Sequence, residues 1–554
     1  MKSQDNAASK KSNFINDLIN ADIESGRFDS RVQTRFPPEP NGYLHVGHAK
    51  AICVNFNTSK DYSGVFNLRY DDTNPVTENT EFVDGILEDI EWLLGERLVR
   101  QPLHTSEYFD QLYMWAEKLI KDGKAYVDNQ DGDTISEQRG GFQKPGIDSP
   151  HRDRSIEENL NLFREMRSGK FSDGECVLRA KISMSHDNMN MRDPIMYRIR
   201  HESHYRTGDE WCIYPTYDWA HGQSDAIEKV THSLCSLEFD SHRELYNWFL
   251  DQLEITGPDR PYQTEFARLN FTHTILSKRL LKHLVEQEVV DGWDDPRMPT
   301  LRGFRKRGDP ASSIRSFCEH IGVARTNGTH EIELLESFVR NDLNKAAERK
   351  MAVLKPLLVT ITNWPEGNVE TRTAINNPED HTAGDREVPF SGSLFIERDD
   401  FMEHPEPKYY RLSPGREVRL RYGYFITCNE VIKDDEGNPI EILCTYDPET
   451  SGGKAPDGRK VKATIHWVSA EHAIDGSVAL YERLFTAEHP GEETGEALDD
   501  VNANSKALLE GVKLEPSISD LPPGSVVQFE RLGYFHLDDE TPAFFHRTVG
   551  LRDE

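Results

Sequence analysis

The chain has 554 residues and a formal net charge of −31 at pH 7, and 36% of its residues are hydrophobic. This length exceeds one usual domain, so we expect several separate hydrophobic cores. No stretch approaches the roughly 18 apolar residues of a membrane helix, and the polar start lacks the apolar region of a signal peptide, which predicts a soluble, cytosolic protein with no membrane partner. The acidic charge argues against non-specific binding to nucleic acid.

The seven cysteines are scattered, with no CxxC pair and no cluster of cysteine and histidine at the spacing of zinc ligands. A structural zinc site draws its four ligands from such close pairs. The sequence therefore predicts reduced thiols, no structural zinc and no metal site built by the protein.

The N-terminal segment predicts one helix and one buried strand. Residues 1–12 are polar and are expected to be disordered. Asn13 can cap a short helix that Gly26 ends. The segment VQTRF, residues 32–36, has the character of a buried strand, and the two prolines after it stop that strand.

A helix and a second strand follow. A turn with glycine leads into an apolar helix through residues 49–56, and the strand VFNLRY then ends at Asp71. The order strand, turn, helix, strand opens a doubly wound, Rossmann-type α/β sheet, in which ligands lie beyond the carboxyl ends of the strands. The turn at residues 43–48 and Asp71 are therefore expected on the same rim.

The rest of the chain changes character twice. Residues 109–215 are rich in loop signals and suggest an insertion, after which WCIYPTYDWAH, residues 211–221, returns to buried-strand character. The pattern then becomes helical, with one helix that Asp309 caps and Gly322 ends. Beyond about residue 351, alternating apolar residues between turns predict antiparallel β-barrels.

Two distant motifs carry the chemistry. In PPEPNGYLHVGHAK, residues 37–50, His45 and His48 share one face of a first helical turn, where ring N–H groups and the helix N-terminus can meet a phosphate. Far downstream, Lys278 lies in LSKR, in a loop ahead of an apolar helix, where a flexible cation could cover a leaving pyrophosphate. Either motif alone would be incidental surface residues, and their combination indicates an ATP site.

Further segments complete a pattern: LRYDDTNP, YPTYDWAH, THSLCSLEF, GWDDPRMPT and HRTVGLRD. With the motif of residues 37–50 they make the chain resemble the glutaminyl-tRNA synthetases, class I enzymes of the glutamyl and glutaminyl subgroup, from about Phe14 to the C-terminus. The pair Asn41-Gly42 is similar to glutaminyl enzymes, whereas glutamyl enzymes carry Thr-Gly or Ser-Gly there. The resemblance implies ATP-dependent activation of L-glutamine, with Mg²⁺ accompanying the ATP, and transfer to the 2'-hydroxyl of the terminal adenosine of tRNA(Gln).

The resemblance also implies a domain order. It gives a Rossmann-type catalytic domain of residues 13–108 and 216–266, an inserted acceptor-stem-binding domain of 109–215, a helical domain of 267–347, a proximal anticodon-binding β-barrel of 348–359 and 463–554, and a distal one of 360–462. The family resemblance further implies a monomer.

By the same resemblance, one group of residues holds ATP. Its members are Glu39, Pro40, Asn41, His45, Val46, Gly47, His48, Ala49, Lys50, Ala51, Ser236, Arg268, Leu269, Leu276, Ser277 and Lys278. The catalytic residues among them are His45, His48 and Lys278.

A second implied group binds glutamine. Asp71 takes the amino group, because a carboxylate at a strand end can pair with an ammonium. Tyr217 faces the side chain, with Arg35 and His221 in its hydrogen-bond network, and a phenol oxygen can accept from the amide NH₂ that glutamate lacks. The alternatives are that Asp71 only caps a turn and that Tyr217 is a buried structural tyrosine.

The implied tRNA contacts fall in two groups. One is the loop of Ala324, Arg325, Thr326, Asn327, Gly328, Thr329, His330 and Glu331. The other, for the anticodon, comprises Arg349, Arg411, Arg419, Arg421, Gln528 and Arg531. Arg419 and Arg421 alternate with apolar residues and are expected to face unpaired bases together, although they could simply solubilise a barrel exterior. A basic cluster at residues 302–307 would suit phosphate contacts.

Two other functions stay open on these grounds. A glutamyl-tRNA synthetase would share most of the motifs, and a catalytically inactive paralogue would keep only the RNA-binding parts. A pure RNA binder has no need to retain His45, His48, Asp71 and Lys278 together, so the sequence favours an active ligase.

Overall fold

The computed structural model describes residues 12–141 and 144–552, so the expected disorder of residues 1–12 falls outside the described part except for Ser12. The chain divides into two units, one made of Met1–Asn270 and Cys318–His330 and the other of Phe271–Phe317 and Glu331–Glu554. Each unit has hydrophobic cores of its own.

The first unit begins with the predicted helix. Its N-cap is Asn13, whose side chain accepts the N–H groups of Ile15 and Asn16, and the left-handed Gly26 (φ 76°) ends it. The α-helices from here to residue 252 are α1 (Phe14–Ser25), α2 (Val46–Asp61), α3 (Thr80–Leu94), α4 (Phe109–Lys121), α5 (Gly132–Gln138), α6 (Ile156–Arg167), α7 (Tyr217–Ile227) and α8 (Arg243–Gln252).

The strands of the same unit form a parallel layer and an antiparallel sheet. They are β1 (Gln33–Phe36), β2 (Val65–Tyr70), β3 (Leu103–His104), β4 (Ala125–Asp128), β5 (Val177–Ala180), β6 (Ile195–Ile199), β7 (Ile213–Pro215), β8 (His232–Ser236) and β9 (Tyr262–Phe266). Strands β1, β2 and β3 pair in parallel, as do β8 and β9. Because Arg35 of β1 donates to the carbonyl of Leu234 in β8, the two parallel groups lie side by side. The predicted α/β fold class is confirmed.

The antiparallel sheet occupies the segment that was expected to be rich in loops. Its order is β4, β5, β6, β7, and its core includes Leu112 and Leu119 of α4 and Phe163 of α6. The segment therefore contains more regular structure than the prediction of loops allowed. The apolar residues of α4 recur at helical spacing, which is a helix signal. The run at residues 211–221 also differs from the prediction, since only its centre is a strand and α7 begins at Tyr217.

Further along the chain, β10 (Leu269–Phe271) and β11 (Gly328–His330) form a two-stranded sheet. The helices here are α9 (Lys278–Glu286), α10 (Leu301–Arg307), α11 (Ala311–Ile321) and α12 (Ile332–Ala346). The left-handed Gly322 (φ 64°) follows α11 as predicted. Lys278 is the first residue of α9 rather than part of a loop ahead of it.

The second unit carries two seven-stranded sheets. The strands are β12 (Glu348–Lys350), β13 (Ala352–Val353), β14 (Pro356–Ile361), β15 (Glu370–Ile375), β16 (Asp385–Phe390), β17 (Ser393–Glu397), β18 (Glu417–Leu420), β19 (Phe425–Lys433), β20 (Pro439–Asp447), β21 (Thr464–Ile465), β22 (Val468–Ser469), β23 (Ile474–Tyr481), β24 (Lys506–Leu514), β25 (Val526–Phe529), β26 (Gly533–Leu537) and β27 (Phe544–Val549).

One sheet has the order β12, β25, β26, β27, β23, β24, β13, and its two edge strands are neighbours in sequence, so the sheet curls until its edges nearly meet. The other has the order β21, β18, β19, β20, β14, β17, β22, while β15 and β16 pair separately. These curled sheets confirm the predicted C-terminal barrels. Within them, β18 and β19 form a hairpin, at whose turn Tyr422 adopts a left-handed φ of 60°.

Candidate active site

The two histidines of the signature motif begin helix α2. His45 is the N-cap, and its Nδ1 accepts the N–H of Gly47 at 3.1 Å. The N–H of His45 in turn donates to Nδ1 of His48 at 3.1 Å, so the two side chains close a capping box. The imidazole rings stack with their centroids 3.8 Å apart.

This cap fixes which ring atoms can serve a ligand. A neutral imidazole that accepts at Nδ1 carries its proton on Nε2. Both rings therefore hold their N–H on Nε2, beside the backbone N–H groups of the first helical turn, where the helix dipole favours negative charge. The arrangement suits an anionic group such as a phosphate.

The signature turn is fastened to the end of β2. The N–H of Asp71 donates to the carbonyl of Pro38 at 3.0 Å, and the N–H of Asn79 donates to the carbonyl of Pro40 at 3.2 Å. As predicted, the turn and Asp71 share the carboxyl-end rim of the parallel strands.

Asp71 is a buried acid with an open position. Its Oδ1 is buried and has no hydrogen-bond partner among the described residues. Burial, with the nearby Glu39 carboxylate, raises the pKa of Asp71 to about 8, against the opposing charge of Arg69. A cation placed at this oxygen would satisfy the lone pair and restore the ionised form.

Behind this rim lies a fully buried charge network. Arg35 donates to Asp225 Oδ1 (3.1 Å), to the carbonyl of Leu234 (2.8 Å) and to Ser233 Oγ (2.7 Å). Arg69 donates to the same Asp225 oxygen at 2.8 Å. Burial alone would raise the pKa of Asp225, but the attraction of the two guanidinium groups outweighs it and lowers that pKa. Arg69 also pairs with Glu228 at 3.3 Å, so two carboxylates face the two guanidinium groups inside the fold.

His221 completes the network and presents a neutral ring. Arg35 lies 2.7 Å from its Nε2 and Arg69 lies 3.1 Å from its Nδ1. Burial and the two nearby arginines lower the pKa of His221 well below its usual range. The ring of Tyr217 stacks on that of His221 with centroids 4.7 Å apart, and burial raises the pKa of the Tyr217 phenol. Tyr217 therefore joins the network through ring contact with His221, and both groups are uncharged.

A family model described as the catalytic domain of class I tRNA synthetases (E and Q) matches residues 31–345. The chain belongs to this family. Models for the anti-codon binding domains of the same class match residues 347–447 and 464–538.

Similar proteins of this synthetase family are known from several bacteria. The glutamine–tRNA ligase of Rhodopirellula baltica is 56% identical to this chain, covering 98% of it and 90% of that protein. The glutamine–tRNA ligase of Nitrobacter winogradskyi is 54% identical, with 98% and 96% covered. That of Bradyrhizobium diazoefficiens is 51% identical, with 99% and 98% covered.

Within this class I synthetase, the residues expected around the adenosine adjoin the expected tRNA loop. The N–H of Arg268 donates to Asn327 Oδ1 at 3.0 Å, and the N–H of Ala267 donates to the carbonyl of Ala324 at 2.8 Å. The guanidinium of Arg268 pairs with Glu238 at 2.6 Å, next to Ser236. Residues 324–329 are exposed, so this loop is open to a large ligand.

Several expected ATP residues place their side chains in the core. Val46 and Ala49 are fully buried in α2, which leaves only their main chain for a ligand. Lys50 is 3% exposed, and burial lowers the pKa of its ammonium group. In the second unit, Leu276 and Ser277 precede α9, whose first residue is Lys278.

The expected anticodon residues form three groups in the second unit. Arg419 and Arg421 line one cavity of about 230 Å³, as the alternation predicted. Arg349 lies opposite Gln528 where β12 pairs with β25. The remaining two residues, Arg411 and Arg531, both pair with Asp400.

Internal carboxylates reduce the charge that these arginines offer. Arg531 donates to both oxygens of Asp400, at 2.6 and 2.8 Å, and Arg421 pairs with Glu530. Arg349 is 4% exposed, and its guanidinium donates to the carbonyls of Ala347 and Asn344. Arg419, by contrast, is exposed, and its guanidinium donates to two neutral groups, Thr464 Oγ1 and the carbonyl of Gly453.

Two residues of the basic cluster at 302–307 also form ion pairs with carboxylates of the protein. Arg307 donates to both oxygens of the buried Asp309, at 2.7 and 2.8 Å, and Lys306 pairs with Asp294 at 2.7 Å. These two cations stabilise the fold, which narrows the surface that the sequence indicated for phosphate.

The predictions from sequence do not single out Asp225 or the hydrogen-bonding role of Asp72. Asp225 follows His221 by four residues, so helical spacing could have placed both on one face of α7. For Asp72 no comparable signal exists, because its partners Ser106 and Tyr205 lie far along the chain. No helix among the described residues is long and apolar enough to cross a membrane. Outside the gaps at 1–11, 142–143 and 553–554, no cluster of metal-ligating side chains occurs.

Proposed function

We propose that this chain is a glutamine–tRNA ligase, which joins L-glutamine to tRNA(Gln) at the expense of ATP. The observation that carries the proposal is the similarity to glutamine–tRNA ligases, above 50% identity along nearly the whole chain. ATP enters as its Mg²⁺ complex, and no side chain of the protein is assigned to the ion. We further propose that the ligase acts as a monomer.

Asp71 receives the α-ammonium group of glutamine. The support is its buried Oδ1, which lacks a partner within the described structure and which an ammonium would satisfy. A buried acid left without such a ligand tends to stay protonated, in line with its raised pKa.

Tyr217, His221 and Arg35 select the amide of glutamine over the carboxylate of glutamate. The Arg35 charge is matched inside the fold by Asp225, and the groups in front of it are a neutral phenol and a neutral imidazole. A glutamate carboxylate would therefore lose its water and gain no cation, whereas an amide can both donate and accept hydrogen bonds.

His45, His48 and Lys278 stabilise the charge that grows as the glutamine carboxylate attacks the α-phosphorus of ATP and pyrophosphate leaves. The two Nε2–H groups supply donors at the helix N-terminus, and Lys278 supplies a positive charge for the phosphates. The ATP is held by residues 39–41 and 45–51, by Ser236, Arg268 and Leu269, and by residues 276–278. At Val46 and Ala49, whose side chains are fully buried, the main chain provides the contact.

In the second step the 2'-hydroxyl of the terminal adenosine of the tRNA attacks the adenylate carbonyl and AMP leaves. The loop of residues 324–331 and the anticodon group Arg349, Arg411, Arg419, Arg421, Gln528 and Arg531 hold the RNA. Among them the exposed Arg419 has the most charge to offer.

A charging assay with purified protein tests the proposal. Total tRNA is aminoacylated with radiolabelled glutamine or glutamate in parallel, and tRNA-dependent ATP–pyrophosphate exchange is measured with each amino acid. We expect a strong preference for glutamine. A preference for glutamate would make the chain a glutamyl-tRNA synthetase, and tRNA binding without any exchange would make it an inactive paralogue.

A further inference from the structure

A small loop between β6 and β7 fixes the ring of His204. His204 and Gly208 exchange main-chain hydrogen bonds at 3.0 and 2.8 Å, which closes the loop. Inside it, the N–H groups of Arg206 and Thr207 both donate to Nδ1 of His204 at 3.2 Å. The ring is 1% exposed, so its orientation is set by its own loop and by the core around it.

The opposite edge of this ring holds the main chain of Asp72. Nε2 of His204 lies 3.0 Å from the carbonyl oxygen of Asp72. A carbonyl only accepts, and Nδ1 is already an acceptor, so His204 is the Nε2–H tautomer and donates to Asp72. The ring is thus a rigid bridge from the loop to the residue after Asp71.

The side chain of Asp72 is also held by hydrogen bonds. Its Oδ1 accepts the N–H of Ser106 at 2.8 Å, and its Oδ2 accepts Ser106 Oγ at 2.7 Å and the Tyr205 hydroxyl at 3.1 Å. Asp72 is fully buried. Its carboxylate is therefore committed to the fold and is not a ligand for the substrate.

One oxygen of the Asp71 carboxylate, Oδ1, accepts no hydrogen bond from the described residues. The main-chain N–H of Asp71 is fixed by the carbonyl of Pro38. The direction of that carboxylate therefore depends on the backbone on either side of it. The hydrogen bond to Pro38 fixes the backbone before the side chain. The hydrogen bonds of His204 and Tyr205 to Asp72 fix the backbone after it.

We propose that His204 is a positioning residue for the amino-acid site and that Tyr205 assists it: together they hold Asp72 and so aim the Asp71 carboxylate at the ammonium group of glutamine. This inference rests on the proposed role of Asp71. It assigns to the segment between β6 and β7 an indirect part in amino-acid recognition, exerted through Asp72.

The test compares L-glutamine with 4-carbamoylbutanoate, which is glutamine without its α-amino group. The KM for glutamine and the inhibition constant of the analogue are measured in tRNA-dependent ATP–pyrophosphate exchange. His204→Phe keeps a flat ring and removes both hydrogen-bonding edges. We expect the KM for glutamine to rise about tenfold, the size of one lost buried hydrogen bond, with the KM for ATP unchanged.

The analogue supplies the readout that a purely structural role would not move. Because it has no ammonium, its inhibition constant should stay the same in His204→Phe, so the preference for glutamine over the analogue should narrow by the same tenfold. His204→Gln, which retains an N–H donor, should regain most of that preference. Tyr205→Phe should reduce it about threefold, since one weaker hydrogen bond is lost.

A matched control lies in the same segment. His201 is exposed and pairs with Asp173 at 2.6 Å, so His201→Phe changes a histidine without touching Asp72. This control should keep the wild-type preference. If His204→Phe yields no folded protein, Tyr205→Phe carries the test, and an unchanged preference in Tyr205→Phe then overturns the inference.

Asp71→Asn distinguishes a failure of the His204 positioning role from a failure of the proposed role of Asp71. If Asp71→Asn loses the preference for glutamine over the analogue while folded His204→Phe keeps it, the positioning role of His204 is wrong and the proposed role of Asp71 stands. If Asp71→Asn keeps the preference, the ammonium site itself is misassigned and the inference falls with it.

Discussion

Glutamine binding should strengthen with rising pH until Asp71 is ionised. With a pKa of about 8 in the ligand-free protein, only about one Asp71 side chain in ten is ionised at pH 7, and about one in a hundred at pH 6. An ammonium ligand binds the ionised form. The KM for glutamine should therefore fall about tenfold from pH 6 to pH 7 and level off above pH 8.

Glutamine binding strengthens with rising pH because the pKa of Asp71 is raised in the free protein. Burial and neighbouring carboxylates raise this pKa, so the free protein holds a proton that the bound ammonium displaces. At pH 7 binding should release about 0.9 protons per glutamine, which calorimetry in buffers of different ionisation enthalpy measures. The analogue without an amino group should release none.

The assay is the KM for glutamine from pH 6 to pH 8.5 in tRNA-dependent exchange, divided by the inhibition constant of 4-carbamoylbutanoate at each pH. This ratio cancels titrations that affect both ligands equally. Asp71→Asn provides the control, and its ratio should be flat. A flat ratio in the wild type, or the same slope in Asp71→Asn, would refute the reasoning.

Two further predictions concern the phosphates and the RNA. Lys278→Ala should slow adenylate formation by roughly 10²- to 10³-fold, the effect of removing one transition-state donor, and an unchanged single-turnover rate would remove Lys278 from the mechanism. Arg419→Ala should weaken tRNA binding and make it less salt-dependent, measured by filter binding between about 50 and 200 mM salt. Arg459→Ala, which removes an arginine already paired with Glu417 and Asp457, is the comparison and should keep wild-type binding, whereas wild-type affinity in Arg419→Ala would count against its RNA contact.

The sequence predicted the local structure around the signature motif well, because its signals are local. Asn13 and Gly26 bound their helix as caps of those residue types do, and the strand before the two prolines is β1. The same kind of signal placed Asp71 on the rim beside the signature turn. The prediction of loops for residues 109–215 is wrong at α4, whose apolar residues recur at helical spacing.

The charge balance of the site could not be predicted in this way. Arg35 meets Asp225 across 190 residues of sequence, and Arg531 meets Asp400 across 131. Only the folded chain shows that these cations already have acidic partners. The number of arginines that the sequence assigns to RNA binding is therefore an upper limit on the positive charge that the RNA meets.

The histidine cap affects how alanine variants of His45 and His48 must be interpreted. Because the rings of His45 and His48 both start α2 and present their outer nitrogens to a ligand, replacing either ring with alanine also frays the helix start, at a cost of about 1 kcal/mol. Lost activity in such a variant would mix two causes. Asparagine at position 45 keeps an acceptor for the N–H of Gly47 and lacks the imidazole, so it isolates the contribution of the ring.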